Sequence, residues 1–196
     1  MSAAFDRLLK DIRACQICAD KLPHDPRPVI RARETGRIVI AGQAPGTRVH
    51  ASGMPFTDPS GDRLRDWMGI DKDTFYDDIR IAIVPMGFCF PGLDAKGGDL
   101  PPRKECAPAW REKVFAKLKH IELTLLVGSY SQAWHLKGRT KKTLTDTVKA
   151  WRDYGPNFIP LPHPPWRNNA WVKKNPWFEA ELLPHLRRRI SRILKS

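Results

Sequence analysis

The sequence predicts an α/β protein, a three-layer α/β/α sandwich with a short central, mostly parallel four-stranded sheet. Three observations lead there. Four short runs, 37–41, 79–84, 123–127 and 158–161, are apolar almost throughout rather than alternating, the pattern of strands covered on both faces. Helical patterns separate them, at 5–13, 62–68, 108–118, 130–136, 144–152 and 177–194, and strand–helix alternation favours a parallel sheet. Every loop carrying unusual chemistry follows a strand, and the site of such a sheet lies beyond the carboxyl ends of its strands.

Taken in order, the first helix at 5–13 ends just before Cys15-x-x-Cys18. Strand 37–41 feeds Gly42-Gln43-Ala44-Pro45-Gly46, and helix 62–68 opens near Ser60-Gly61. Strand 79–84 runs into Pro85 and on to Cys89. The stretch 90–102 holds Pro91-Gly92, Gly97-Gly98 and Pro101-Pro102, which makes it an excursion loop joining Cys89 to Cys106. Helix 108–118 follows. Strand 123–127 delivers Gly128-Ser129, ahead of helices 130–136 and 144–152. Strand 158–161 delivers Leu161-Pro162-His163-Pro164, and the basic helix 177–194 completes the order.

At 196 residues the chain suits one domain, residues 1–196, with a core of its own. Hydrophobic residues make up 41%, with no apolar run of membrane-spanning length. The start, Met1-Ser2-Ala3-Ala4-Phe5-Asp6, lacks the basic and apolar segments of a secretory signal. The expectation is a cytoplasmic monomer without a membrane partner, in a compartment where thiols stay reduced. The net charge of +13 favours a polyanionic partner, because Lys and Arg release counterions from nucleic acid. Basic residues gather at Arg103-Lys104 and across 137–142, 167–174 and 187–192.

The four cysteines are the most informative residues. Cys15 and Cys18 form a chelating pair, and Cys89 and Cys106 can close a four-thiolate site. Zinc and a [4Fe-4S] cluster both accept four thiolates, so spacing leaves the choice open, and buried free thiols are the plain alternative. The Gly42–Gly46 loop has glycines for close approach and a proline that fixes φ. It lacks the Gly-Lys-Ser/Thr ending of a phosphate-binding P-loop.

Gly42-x-Ala44-Pro45-Gly46, then Gly53-Met54-Pro55-Phe56, then a helix opening near Ser60-Gly61 resembles the first motif of the uracil-DNA glycosylase superfamily. The order of the cysteines resembles family 4, its iron–sulfur branch. The strand end at Gly128-Ser129 is also similar, and His163-Pro164 stands where the second motif begins. The similarity spans nearly the whole chain.

The resemblance implies a monofunctional DNA-repair glycosylase acting on DNA that contains deaminated bases, uracil first among them. Such an enzyme flips the nucleotide into a pocket. Phe56 would stack on the base, and backbone amides at Gly42 and Gln43 would meet its carbonyls. His163 would donate to O2 as negative charge collects there. Trp166, Arg167 and Asn168 would fill the gap in the duplex and hold phosphates; a surface loop packed on the adjacent helix is the other reading of that stretch. The cysteines would hold a structural [4Fe-4S] cluster, with zinc as the alternative.

The sequence departs from the family pattern in three stretches. Gln43 stands where family 4 carries Glu, and Ala44 where other families carry Asp or Asn, so the first motif offers no general base. Asp58 is the nearest carboxylate, with two roles open to it: positioning the water or capping the following helix. The stretch Ile83-Val84-Pro85-Met86-Gly87-Phe88 contains no amide where the family reads uracil with Asn, which leaves room for another damaged base. Pro164-Pro165-Trp166-Arg167 replaces the usual small-residue and leucine sequence after the histidine. A damage sensor that binds without turnover, and a nucleotide- or RNA-binding module using the same pocket, are the competing readings. No lysine stands where a Schiff-base nucleophile would, so no lyase activity is expected.

Overall fold

The structure is a computed structural model that describes residues 2–165 and 168–195. Its sheet contains β1 (Ile38–Ala41), β2 (Ile81–Ile83), β3 (Leu123–Val127) and β4 (Phe158–Leu161), in the order β2-β1-β3-β4. Every strand pair is parallel, with Ile38 beside both Ile81 and Leu123, and Leu125 beside Ile159. One antiparallel bridge, Arg31 to Ile83, lays the preceding segment along the outer edge of β2.

Helix α1 (Ala3–Arg13) buries Phe5, Leu9 and Ile12, and Ser2 caps its first turn. Between β1 and β2 run α2 (Thr47–Ser52), α3 (Pro59–Met68) and α4 (Lys72–Tyr76). The 90–102 loop and α5 (Cys106–Phe115) lead to β3, while α6 (Ser129–Leu136) and α7 (Leu144–Lys149) lead to β4. Then α8 (Asn169–Lys174), a π-helical turn at Phe178–Leu182 and α9 (Leu183–Lys195) complete the described chain.

Alternation along each strand builds the layers. Ile38 and Ile40 point into one core with Leu64 and Met68 of α3 and Leu186 and Ile190 of α9. Val39 points into the other, against Phe5 and Leu9 of α1 and Val114 of α5. Both faces are covered, which is why the strands read as unbroken apolar runs. The sandwich expected from the sequence is the one observed.

The chain leaves β1 for the sheet edge at β2 and later leaves β3 for the opposite edge at β4. The order therefore reverses between β1 and β3. A crevice opens beyond the carboxyl ends of these neighbours, the usual place for a ligand in an open parallel sheet.

Candidate active site

A cavity of about 360 Å³ occupies that crevice. The loop after β1 (Gly42 to Gly46), Phe56, Asp58, Pro85, Asp99, Val127 and His163 all line it. Three loops separated by most of the chain thus meet at one opening, as their positions after strands predict.

Phe56 is set by a strained and well-anchored turn. Its φ is 57°, unusual for a residue with a bulky side chain. Tyr76 Oη donates to the carbonyls of Pro55 (2.7 Å) and Phe56 (3.1 Å), and Arg65 adds a longer contact to the latter at 3.4 Å. Gly61 makes room for this carbonyl, since a Cβ there would lie 1.9 Å from Phe56 O. The ring meets Phe75 edge-on at 5.8 Å between centroids, and its Cζ reaches to 3.4 Å from where Gly42 would carry a Cβ. The absence of a side chain at Gly42 is what lets the aromatic wall approach the first loop.

His163 faces this wall from the end of β4. Its Nε2 lies 2.9 Å from Gln43 Oε1, and with the glutamine so oriented the imidazole proton sits on Nε2. Burial pushes the His163 pKa below its ordinary value, so the ring is neutral at neutral pH. Gly128 supplies the space behind the ring: a Cβ there would stand 2.5 Å from His163 Nε2, and its φ is +87°. Gln132, 2% exposed, ties the strand ends together by donating to Leu161 O (2.9 Å) and Leu126 O (3.3 Å).

Two carboxylates line the cavity. Asp58 caps α3: its Oδ1 accepts from Ser60 N (3.1 Å), Gly61 N (3.2 Å) and Ser60 Oγ (2.5 Å). Of its two expected roles, capping is the one this geometry displays. Asp99 reaches the cavity from the 90–102 loop, with Oδ2 3.4 Å from the position of a Cβ on Gly46. Its place could not be read from spacing, because it depends on how a Gly- and Pro-rich loop folds back.

Trp166 and Arg167 lie outside the described residues. Asn168 turns inward, its Nδ2 donating to His163 O at 2.5 Å, so its side chain supports the histidine loop. Arg63, which the sequence did not single out, holds the same loop from α3 through Pro165 O (3.2 Å) and Asn169 Oδ1. Arg48 is exposed at the cavity rim.

Cys15, Cys18, Cys89 and Cys106 line one small second cavity with Phe88, Arg103 and Trp110. All four thiols are free. Trp110 Nε1 donates to Cys15 Sγ and the Phe88 amide to Cys106 Sγ, both at 3.3 Å. Burial, reinforced by neighbouring thiols, pushes Cys89 up to about 12 and Cys106 up to about 11. Glu105 accepts from Lys21 at 2.7 Å and from Arg103 at 3.3 Å, fastening the turn after Cys18 to the start of α5. Among the described residues, no three His, Cys, Asp or Glu side chains are grouped tightly enough to hold a single metal ion. The donor set nevertheless fits a thiolate-ligated group. Four sulfurs share one cavity, and N–H donors already point at two of them.

Among the described residues no helix is long and apolar enough to cross a membrane. A family model described as the uracil DNA glycosylase superfamily matches residues 31–187. The match takes in all four strands, Gly42, Phe56, Asp58 and His163, together with Cys89 and Cys106, and begins after Cys15 and Cys18.

Proposed function

Because the chain belongs to the uracil DNA glycosylase superfamily, we propose that it is a monofunctional DNA glycosylase that removes a deaminated base, uracil first, by hydrolysis. The observation that carries this reading is a neutral histidine and an aromatic ring facing each other across a cavity at the sheet's switch point.

The flipped base would lie against Phe56, whose ring is held before substrate arrives and so needs no ordering on binding. Glycine at 42 leaves the loop backbone open to the base edge. As the C1′–N1 bond breaks, its electron pair moves into the base and charge collects on O2. His163 Nε2–H, now shared with Gln43 Oε1, would turn to that oxygen. A neutral donor stabilises the leaving anion without having to protonate it. Water then adds to C1′ and gives up a proton, which neutralises the departing base anion by way of solvent, and an abasic site is left. In this scheme Gln43 orients the imidazole and is not a base, which accounts for an amide at that position.

Asp58 would act through structure. Asn caps helices as well as Asp does, so Asp58→Asn is expected to change the excision rate by less than about tenfold. A loss well beyond that would return the water-positioning role to its carboxylate.

The cysteine site would hold a [4Fe-4S] cluster, with zinc as the alternative. Bound there, the group would supply no chemistry to base removal and would fasten the N-terminal segment to the start of α5. The order of the cysteines, similar to that of the iron–sulfur branch, and the sixteen-residue separation of Cys89 and Cys106, unlike the paired knuckles common in zinc sites, favour the cluster.

The direct test is a labelled single-stranded oligonucleotide with one uracil, incubated with the protein and then treated with alkali. A break at uracil that needs alkali is the expected result. A break without alkali would mean lyase activity. Failure on uracil, hypoxanthine and xanthine alike, with the oligonucleotide retained, would instead establish a binding protein.

A further inference from the structure

Arg111, on α5, is 1% exposed and grips the exit of β2 with its guanidinium. Nη1 donates to the carbonyls of Val84 (2.9 Å) and Pro85 (2.8 Å). Nη2 lies 2.5 Å from Nε2 of His135, on α6. Burial, then the charge of Arg111, hold His135 down to about 3, so that ring is neutral and its Nε2 accepts. One planar fork thus serves three acceptors.

The exit of β2 needs such a holder. On either side of it, Ile83 O accepts from Arg31 N (3.1 Å) and Phe88 O from Val29 N (2.7 Å). Between them Val84 and Pro85 are buried at the end of an edge strand, and Arg111 supplies donors to both carbonyls. The exit in turn carries the first loop of the cavity. Met86 N donates to Gly42 O and Gly87 N to Gln43 O, both at 2.9 Å. Gln43 Oε1 then meets His163 Nε2 at 2.9 Å. From guanidinium to imidazole the contacts run through Val84 and Pro85, Met86 and Gly87, and Gln43 without a gap.

A cation buried among neutral acceptors is costly, and an apolar side chain of similar volume would avoid that cost. No carboxylate forms an ion pair with Arg111 among the described residues. An apolar side chain would not fix two carbonyls beside the cavity, which Pro85 itself lines.

We propose that Arg111 is a positioning residue for base removal. It fixes the β2 exit and, through Met86 and Gly87, the loop that aims Gln43 at His163. The inference rests on His163 as donor to the departing base, and it adds a residue that does not itself line the cavity. Without Arg111 the base would still lie against Phe56, while the proton donor would be misplaced.

The test measures single-turnover excision and affinity on a uracil oligonucleotide for wild type, Arg111→Met, Gln43→Ala and the double variant. Arg111→Met is expected to slow excision by about 10–100-fold, the upper value being the cost of about 1 Å of misplacement. Affinity for the oligonucleotide should stay as in wild type. On Gln43→Ala the same substitution should cost less than about threefold, because the arginine acts through that side chain. A role in stability alone would lower the folded fraction, read by urea unfolding, and slow both backgrounds alike. Arg111→Lys carries the same cycle should Arg111→Met not fold. One ammonium cannot reproduce the fork, so excision should again fall, and again little further on Gln43→Ala. Equal slowing of the two backgrounds by either variant would overturn the inference, as would a loss in Arg111→Met below about tenfold or one confined to affinity. Activity lost in His163→Ala but kept in Arg111→Met would be the failure of this inference alone. A wild type that releases no base would remove the glycosylase reading and the inference together.

Discussion

Replacing His163 by alanine is expected to slow uracil release by about 10²–10³-fold, the usual cost of removing one donor from a developing anion. The loss should fall on kcat more than on KM. Phe56 and the loop after β1 are untouched, so the base still enters its pocket, while the interaction that grows as the bond breaks is gone. Single-turnover rates on a uracil oligonucleotide measure this directly. A variant keeping more than about a tenth of the rate would exclude His163 as the donor to the leaving group. The pH dependence supplies a second readout. Burial lowers the His163 pKa below its ordinary 6.5 and so favours the neutral ring. Wild-type rate should therefore persist as pH falls through the ordinary histidine range and drop only below it. Stability has the same sign. Between the lowered folded value and the ordinary value, the unfolded chain binds more protons, so stability is lost as pH falls through that window.

Much of this site was legible in the sequence because chemistry and topology agreed. Gly42 and His163 stand in loops that the sequence places directly after strands, and a parallel sheet brings such loops to one end. The strands themselves were legible where burial on both faces leaves no polar register: 123–127 and 158–161 are β3 and β4 as expected. At β2 the expected 79–84 shrinks to Ile81–Ile83. Ile79 is exposed, and the amides of Arg80 and Ile81 are taken by Asp77 O in a turn. Helices α2, α4 and α8 were missed because five or six residues show no period; α4 forms because Asp71 caps it through Thr74 N at 2.7 Å. The expected helix 177–194 begins instead with a π-helical turn before α9. Pro184, at the start of α9, has no N–H for the regular ladder. Helix 144–152 ends early as well, at Lys149, and a 3-10 turn carries Trp151 and Tyr154 into the core.

The residues that stayed hidden act on the site from distant parts of the chain. Tyr76 and Arg63 belong to no motif, and Gly61 is read only as part of a helix opening. Their value lies in touching the carbonyl of Phe56 or the loop of His163, contacts that exist only once α3 and α4 pack. Asn168 was legible as an amide near the histidine, though its direction was not. Residue type suggests a phosphate contact for this amide, and the fold adds a bond from its Nδ2 to His163 O.

Gly128 makes the sharpest case, and its substitution carries the second large effect. Gly128→Ala meets two obstacles. At φ +87° and ψ 169° an L-residue pays about 1–3 kcal/mol of backbone strain. The new Cβ would also lie 2.5 Å from His163 Nε2 and 2.6 Å from its Cδ2, closer than any real contact. The ring cannot yield without leaving Gln43 Oε1, because Asn168 anchors the histidine backbone from behind. Gly128→Ala should therefore lower the excision rate by about 10²–10³-fold, nearly as far as His163→Ala itself. It should also lower stability in urea by at least the strain term. The double variant separates the two causes. With the imidazole removed, the steric clash disappears and only the backbone strain persists, so stability should partly recover relative to Gly128→Ala. The excision rate should fall no further than in His163→Ala, since both changes remove the same donor and such effects are not additive. If the two rate losses instead multiply, Gly128 acts independently of His163, and the close packing of the β3 exit against the imidazole has no part in placing the proton donor.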